Sequence, residues 1–326
     1  MRNKIIIAFI AICLAFSVMW SPTPGLATKK TFPQKMITWI VPYNPGGGFD
    51  TYSRALARVM PKYLPNKVKI IIKNIPGAGS RRGASALYRS RPDGYTIGIL
   101  NFPGLAAAAL VKKTEFDLAK YVYVGRITIS PYCLSVPKKS PYRTLEDLKQ
   151  AKKLVRFPTT GKGATGDLTT RIANAVLKIP TQLISGYKTA PAGIVGTIRG
   201  DSDAVITGGL ETHLTFIESG DLSPILVFLP KRSKYLPNVP TAMELGYDGE
   251  LSQLAMHRLV AAPPGTQKEV IDILSKAMKA SLEDEGLVKW SKETKRPLEW
   301  ASGEESREIV IKFTKLLKQF KKVIAD

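Results

Sequence analysis

Ile37-Thr38-Trp39-Ile40-Val41-Pro42-Tyr43-Asn44-Pro45-Gly46-Gly47-Gly48-Phe49-Asp50, running on to Arg58, is a short apolar run, a tight loop and the start of a helix-like segment. Five apolar or β-branched residues of this kind read as a buried strand. Three successive glycines let the backbone turn its N–H groups toward a guest without Cβ interference. The helix N-terminus that follows adds partial positive charge, so the loop suits an anion, and a carboxylate fits it.

The same order recurs along the chain. Val68 to Lys73 reads as a strand followed by a helix at about Arg82 to Arg89, and Tyr95 to Leu100 as a third strand entered by the turn Pro92-Asp93-Gly94-Tyr95. Tyr121 to Ser130 and Tyr132 to Val136 read as extended, and Leu145 to Lys152 as helical. A second set begins with the strand Leu154 to Phe157, the glycine-containing loop Pro158 to Gly166 and a helix from Asp167 to Leu177. Beyond it come a helix at Ala190 to Ile198, strands at Asp203 to Ile206 and Leu222 to Leu229, the apolar strand Ala255 to Ala262, and two or three helices within Thr266 to Lys322.

Alternation of this kind predicts an α/β protein whose sheets are mostly parallel and flanked by helices. A strand set inserted between an N-terminal part and a C-terminal return predicts two lobes with the ligand cleft between them. The expected boundaries are residues 28–128 plus 255–326 for lobe 1 and 129–254 for lobe 2.

Ahead of this lies a leader. Arg2 and Lys4, the apolar run Ile5 to Trp20 and the small residues around Gly25-Leu26-Ala27 predict a signal peptide over residues 1–27, cleaved after Ala27. The run falls short of the roughly 20 apolar residues that span a bilayer. Ile12 is bulky where lipidation at Cys13 would want a small residue. Secretion of the chain is expected.

The whole chain of 326 residues has a net charge of +22; the leader carries two of the positive charges and no acid, so the remainder is +20. The charges are dispersed. Lys312, Lys315, Lys318, Lys321 and Lys322 interleave with Ile311, Phe313, Leu316, Leu317 and Phe320, as in a helix with one apolar and one solvated basic face. With no nucleic-acid motif present, DNA or RNA binding is not expected. Cys133 is the only cysteine after the leader, which excludes an internal disulfide and suits a small buried apolar residue.

Two glycine loops invite a nucleotide reading: Gly161-Lys162-Gly163-Ala164-Thr165-Gly166 and Gly77-Ala78-Gly79-Ser80-Arg81-Arg82-Gly83. A dinucleotide site wants an acid about 20 residues further on, and nothing between Asp167 and Asp201 is acidic. Lys162 is not followed by Ser or Thr, so no P-loop forms. Two histidines, His213 and His257, and no paired cysteines make a metal site unexpected, and there is no G-x-S-x-G elbow. No catalytic residue, metal or cofactor is therefore assigned. The loops share backbone donors at helix starts, a pattern suited to binding, while any one of them taken alone is also a simple tight turn.

Several motifs stand together in order: Val41-Pro42-Tyr43 with Gly46 to Asp50, Asn74-Ile75-Pro76-Gly77-Ala78-Gly79, Pro92-Asp93-Gly94-Tyr95-Thr96, Tyr187-Lys188-Thr189-Ala190-Pro191-Ala192, and Leu236-Pro237-Asn238-Val239-Pro240-Thr241 with Glu244-Leu245-Gly246. In this order they resemble the tripartite tricarboxylate transporter substrate-binding proteins, also called Bug receptors, over nearly all of the chain after the leader. The resemblance implies a monomeric periplasmic binding protein of the type II fold. Such a protein is not an enzyme: it captures a small organic carboxylate, mono- or dicarboxylate, and passes it to the membrane subunits of a tripartite transporter.

Carried onto these residues, the resemblance makes Tyr43 a wall of the cleft and Gly47, Gly48, Phe49 and Asp50 one jaw. Thr159, Thr160, Gly163, Ala164 and Thr165 make the other, with ordered waters between. Asp50 beside an anion is better suited to capping the helix or fixing the loop. The chain departs from the family at Gly79-Ser80-Arg81-Arg82-Gly83, where Gly-Gly-Asn-Ile-Gly is common, and at Asp167, where histidine is common. Arg81 either reads a distal acidic group or stands exposed, and Phe49 either stacks on the ligand or packs. Two other functions stay open: an exported enzyme for a nucleotide or phosphate ligand, and a carboxylate receptor serving signalling.

Overall fold

The computed structural model describes residues 31–247, 251 and 254–325. The expected signal peptide lies outside the described residues. The chain from Phe32 onward clusters as one compact unit. In order it runs through β1 (Ile37–Val41), α1 (Gly48–Val59), β2 (Ile70–Asn74), α2 (Arg81–Tyr88), β3 (Thr96–Phe102), α3 (Gly104–Val111), β4 (Val122–Pro131), β5 (Cys133–Pro137) and α4 (Leu145–Lys149). There follow β6 (Val155–Thr159), α5 (Thr165–Leu177), β7 (Thr181–Ser185), α6 (Ala190–Arg199), α7 (Leu210–Glu218), β8 (Leu222–Val227) and β9 (Ala255–Ala262). The chain closes with α8 (Lys268–Leu282), α9 (Glu285–Glu293), β10 (Ala301–Ser302), α10 (Gly303–Leu317) and α11 (Lys321–Ala325).

Six strands form one sheet in the order β10-β4-β9-β3-β1-β2. Ile37, Trp39 and Val41 on one face of β1 are wholly buried, and Ile40 on the other is 5% exposed, as a strand covered on both faces requires. Parallel pairing, expected to dominate, holds for β1–β2, β1–β3 and β6–β7. The return strand β9 instead runs antiparallel between β3 and β4, β10 pairs antiparallel with β4, and β5 with β8. The physical reason is that β9 is buried along its whole length. A strand covered on both faces has the same continuous apolar run whichever way it points.

The segment Asp203–Ile206, expected as a strand, touches its neighbours at single points. The Asp203 and Ala204 N–H groups donate to Arg156 O at 2.8 and 3.2 Å, and Val205 forms an isolated antiparallel bridge to Ser135. It stitches β6 to β5 and so joins the two small sheets. The Asp203 carboxylate takes the Arg156 backbone N–H and guanidinium, which fixes the crossing. Strand β7 and helices α3 and α7 are further elements beyond those the periodicity predicts.

Both jaw helices start earlier than expected, at Gly48 rather than Thr51 and at Thr165 rather than Asp167. In each, the aspartate stands inside the first turn and bonds back to the loop. At the C-terminus, Phe313, Leu317, Phe320 and Ile324 form the buried stripe, while Ile311 is exposed. Cys133 is wholly buried, and burial pushes its thiol up to about 12, consistent with an inert apolar role.

Candidate functional site

A cavity of about 80 Å³ opens where four helix N-termini converge. Gly47 and Gly48 bring the start of α1, Thr165 and Gly166 that of α5, Thr189 and Ala190 that of α6, and Gly208 and Gly209 that of α7. Each start presents backbone N–H groups without intrahelical partners and the positive end of a helix dipole. The lining side chains include two cations, Lys188 and Arg258, and no acid. Burial of an anion is the electrostatic consequence this arrangement favours.

The α1 and α5 starts are built alike. Gly46 has φ +84° and Gly163 φ +75°, a left-handed conformation that glycine adopts freely. The Gly46 N–H donates to Asp50 Oδ2 at 3.0 Å, and the Gly163 N–H to Asp167 Oδ2 at 2.8 Å. One turn on, Arg54 reaches Asp50 at 2.8 Å and Arg171 reaches Asp167 at 3.3 Å. Burial alone would raise the Asp50 carboxyl, but Arg54, the Gly46 N–H and Asn74 outweigh it and hold it below the usual range.

A hydrogen-bonded group ties the loop before α1 to β3 and the start of α5. Asn101 Nδ2 on β3 donates to the Tyr43 hydroxyl at 2.8 Å and to Thr165 Oγ1 at 2.7 Å, and the two hydroxyls are 3.2 Å apart. Burial raises the Tyr43 phenol above its ordinary value, so it stays protonated and able to donate. At a second point Asn44 Nδ2 donates to the Lys188 carbonyl at 3.0 Å. Phe49 stacks on Tyr43 with centroids 4.7 Å apart.

Of the residues expected from sequence, Tyr43, Gly47, Gly48, Phe49, Thr160 and Thr165 line the cavity. The other five are not among its lining residues. Asp50 is occupied by Gly46, Arg54 and Asn74. Thr159 Oγ1 lies 3.2 Å from Ser185 Oγ and accepts the Gly161 N–H. The Gly163 N–H is taken by Asp167, and Ala164 is the N-cap residue of α5. Arg81 lies against Gly163, where an added Cβ would sit 3.5 Å from its Nη1.

The cavity also gathers Asn101, Tyr132, Thr207 to Gly209, Thr212 and Arg258, which sequence reasoning did not select. Arg258 did leave a signal. An arginine inside the apolar run Ala255 to Ala262 must be buried, and a buried guanidinium requires a counter-charge or a ligand.

The sequence profile described as tripartite tricarboxylate transporter family receptor matches residues 53–304. The chain belongs to this receptor family. The receptor is 31% identical to a protein of Agrobacterium vitis encoded in the TAR-I ttuE-ttuC' intergenic region, over 85% of this chain and 79% of that one. Its fold is that of the periplasmic binding protein BugD, with a TM-score of 0.80 at 24% identity, covering 90% of this receptor and 99% of BugD. It is also similar to MatC of Rhodopseudomonas palustris with bound malate, with a TM-score of 0.76 at 21% identity, over 90% and 100% of the two chains. The two-lobed binding-protein fold expected for the receptor is thereby shown.

Proposed function

We propose that this receptor works in the periplasm, binds a small organic carboxylate, mono- or dicarboxylate, in the cavity between its lobes, and delivers it to the membrane subunits of a tripartite transporter. The observation that carries the reading is the convergence of four helix N-termini on one small cavity lined by cations and no acids. One carboxylate against these donors gains charge-assisted hydrogen bonds without any titrating side chain. A cavity of about 80 Å³ has room for roughly five to eight water-sized groups, the scale of an acid of a few carbon atoms. Bound malate in MatC supports the same class.

In this reading Gly47, Gly48 and Phe49 form one jaw, Thr160 and Thr165 face them, and Tyr43 bridges. Asp50, Thr159, Gly163 and Ala164 act behind the jaws by shaping the two loops. The lobes comprise residues 28–128 with 255–326, and 129–254, and closure about the strands joining them excludes water. The receptor performs no chemistry of its own.

Calorimetry or thermal shift on ligand-stripped protein against a panel of mono- and dicarboxylates tests this. Stabilisation by at least one acid is expected, and indifference to all of them, with a shift from nucleotides instead, would sink the reading.

A further inference from the structure

Arg258 is the cation buried in the cavity wall, with its side chain 1% exposed. A guanidinium there would ordinarily be the receptor for a second carboxylate, since its planar fork matches one. Here the protein already holds it. Arg258 Nη2 donates to Glu211 Oε1 at 2.7 Å, Nη1 donates to Ser130 Oγ, and the guanidinium carbon lies 4.5 Å from the Tyr52 ring centroid and 5.0 Å from that of Phe49. Glu211 is equally buried, at 1% side-chain exposure, so water does not screen the pair.

Two cavity-lining glycines make room for this pair. A Cβ on Gly48 would lie 2.9 Å from Arg258 Nη2, and one on Gly209 would lie 2.4 Å from Glu211 Oε2. The ion pair therefore fills the space of the side chains these two backbone positions lack. Glu211 Oε2 is buried beside Gly209 without a hydrogen-bond partner, and among the described residues no second cation pairs with Glu211. The Arg258–Glu211 pair thus has net charge zero and an anionic oxygen to spare just behind the lining.

We propose, resting on the carboxylate-receptor reading above, that Glu211 sets the charge this site accepts. The acid is bound as a singly charged species on the helix N-termini, and a ligand whose far end is a second carboxylate is rejected by Glu211. A neutral far end, such as an amide or hydroxyl, meets no such repulsion, because Glu211 stands behind the lining and acts on the cavity through its charge rather than by contact. In a buried wall, like charges repel far more strongly than in water.

Succinate and succinamate separate charge from shape, because they differ only in a carboxylate replaced by an amide of nearly the same size. In calorimetry on the full, ligand-stripped receptor, succinamate is expected to bind at least tenfold tighter than succinate. Glu211→Gln frees the Arg258 fork and is expected to shift the succinate-to-succinamate affinity ratio at least tenfold toward succinate. The ratio within one protein is insensitive to a general loss of stability, and the wild-type ratio stands even where the variant does not fold. Equal or tighter binding of succinate by the wild type overturns the proposal, as does a ratio unmoved in a folded Glu211→Gln. Binding of neither acid, nor of any other in the panel, counts against the carboxylate reading itself.

Discussion

Asp50 and Asp167 stand at the same post on two different helices: each carboxylate accepts the N–H of a left-handed glycine four residues earlier and pairs with an arginine four residues later. Each satisfies one loop donor and leaves the remaining N–H groups of its helix start directed elsewhere. Cavity donors on both sides depend on this device. Asp50→Ala is expected to destabilise the fold by about 1–2 kcal/mol, the scale of a lost helix cap, and to weaken ligand binding as the Gly46–Gly48 loop relaxes. The folded-state value of Asp50 is depressed, so its contribution is complete above the ordinary aspartate range and is lost as pH falls through the depressed value. Urea melts of the two proteins should therefore differ by a constant amount near neutrality and converge only in strong acid.

Gly47 and Gly48 make a paired test of the jaw. Gly47 is extended, with φ −83° and ψ 167°, and a Cβ added there meets nothing nearer than Asn44 O at 3.9 Å. Valine is thus sterically admissible, at a position that lines the cavity. Gly47→Val should lose ligand binding while keeping stability within about 1 kcal/mol of wild type. Gly48→Ala instead presses on Arg258, whose guanidinium cannot retreat between two rings, and should cost about 1–3 kcal/mol of stability. Equal affinities for Gly47→Val and wild type would remove this loop from the site.

What was legible in the sequence is what is local. The β1–loop–α1 unit reads directly because strand, left-handed glycine and helix start lie within about twenty residues. The matching unit at Val155 to Leu177 reads for the same reason. Sheet direction was not legible, because β9 is covered on both faces. The Arg258–Glu211 pair is not either: its members are 47 residues apart, and Glu211 belongs to a helix, α7, that the periodicity does not predict. Asn101 lies inside a strand buried nearly throughout, so only its hydrogen bonds to Tyr43 and Thr165 reveal its place.

His213 predicts a pH dependence unrelated to the ligand. It is wholly buried on α7, with Nδ1 2.9 Å from the Ser135 hydroxyl and Nε2 3.1 Å from the Thr207 carbonyl. Burial lowers it to about 4, so the folded protein keeps it neutral where the unfolded chain binds a proton. Its contribution is complete above about 6.5 and is lost as pH falls toward 4, amounting to about 3 kcal/mol at most. His257, lowered to about 3 by burial and then by Arg126 and Lys312, adds a slope of the same sign. Stability measured between pH 7 and 4 should fall steeply in the wild type and less steeply in His213→Gln. Parallel profiles would show that His213 does not titrate on unfolding.

Gly104 tests whether the fit of α3 against α5 holds the cavity in shape. It is the first residue of α3, and a Cβ there would lie 1.8 Å from Thr165 Oγ1, the hydroxyl that joins Asn101 and Tyr43. No rotation of a side chain relieves this, because Thr165 Cβ itself would be only 2.5 Å away. Gly104→Ala must therefore displace the start of α5, at a cost of about 1–3 kcal/mol, and carry Thr165 and Gly166 out of the cavity lining. Ligand affinity should fall along with stability. The cause is separable by a double-mutant cycle: in a Thr165→Gly background the same Gly104→Ala change meets none of these Thr165 atoms and should cost measurably less. If its cost is the same in both backgrounds, the contact with Thr165 is not what the glycine protects.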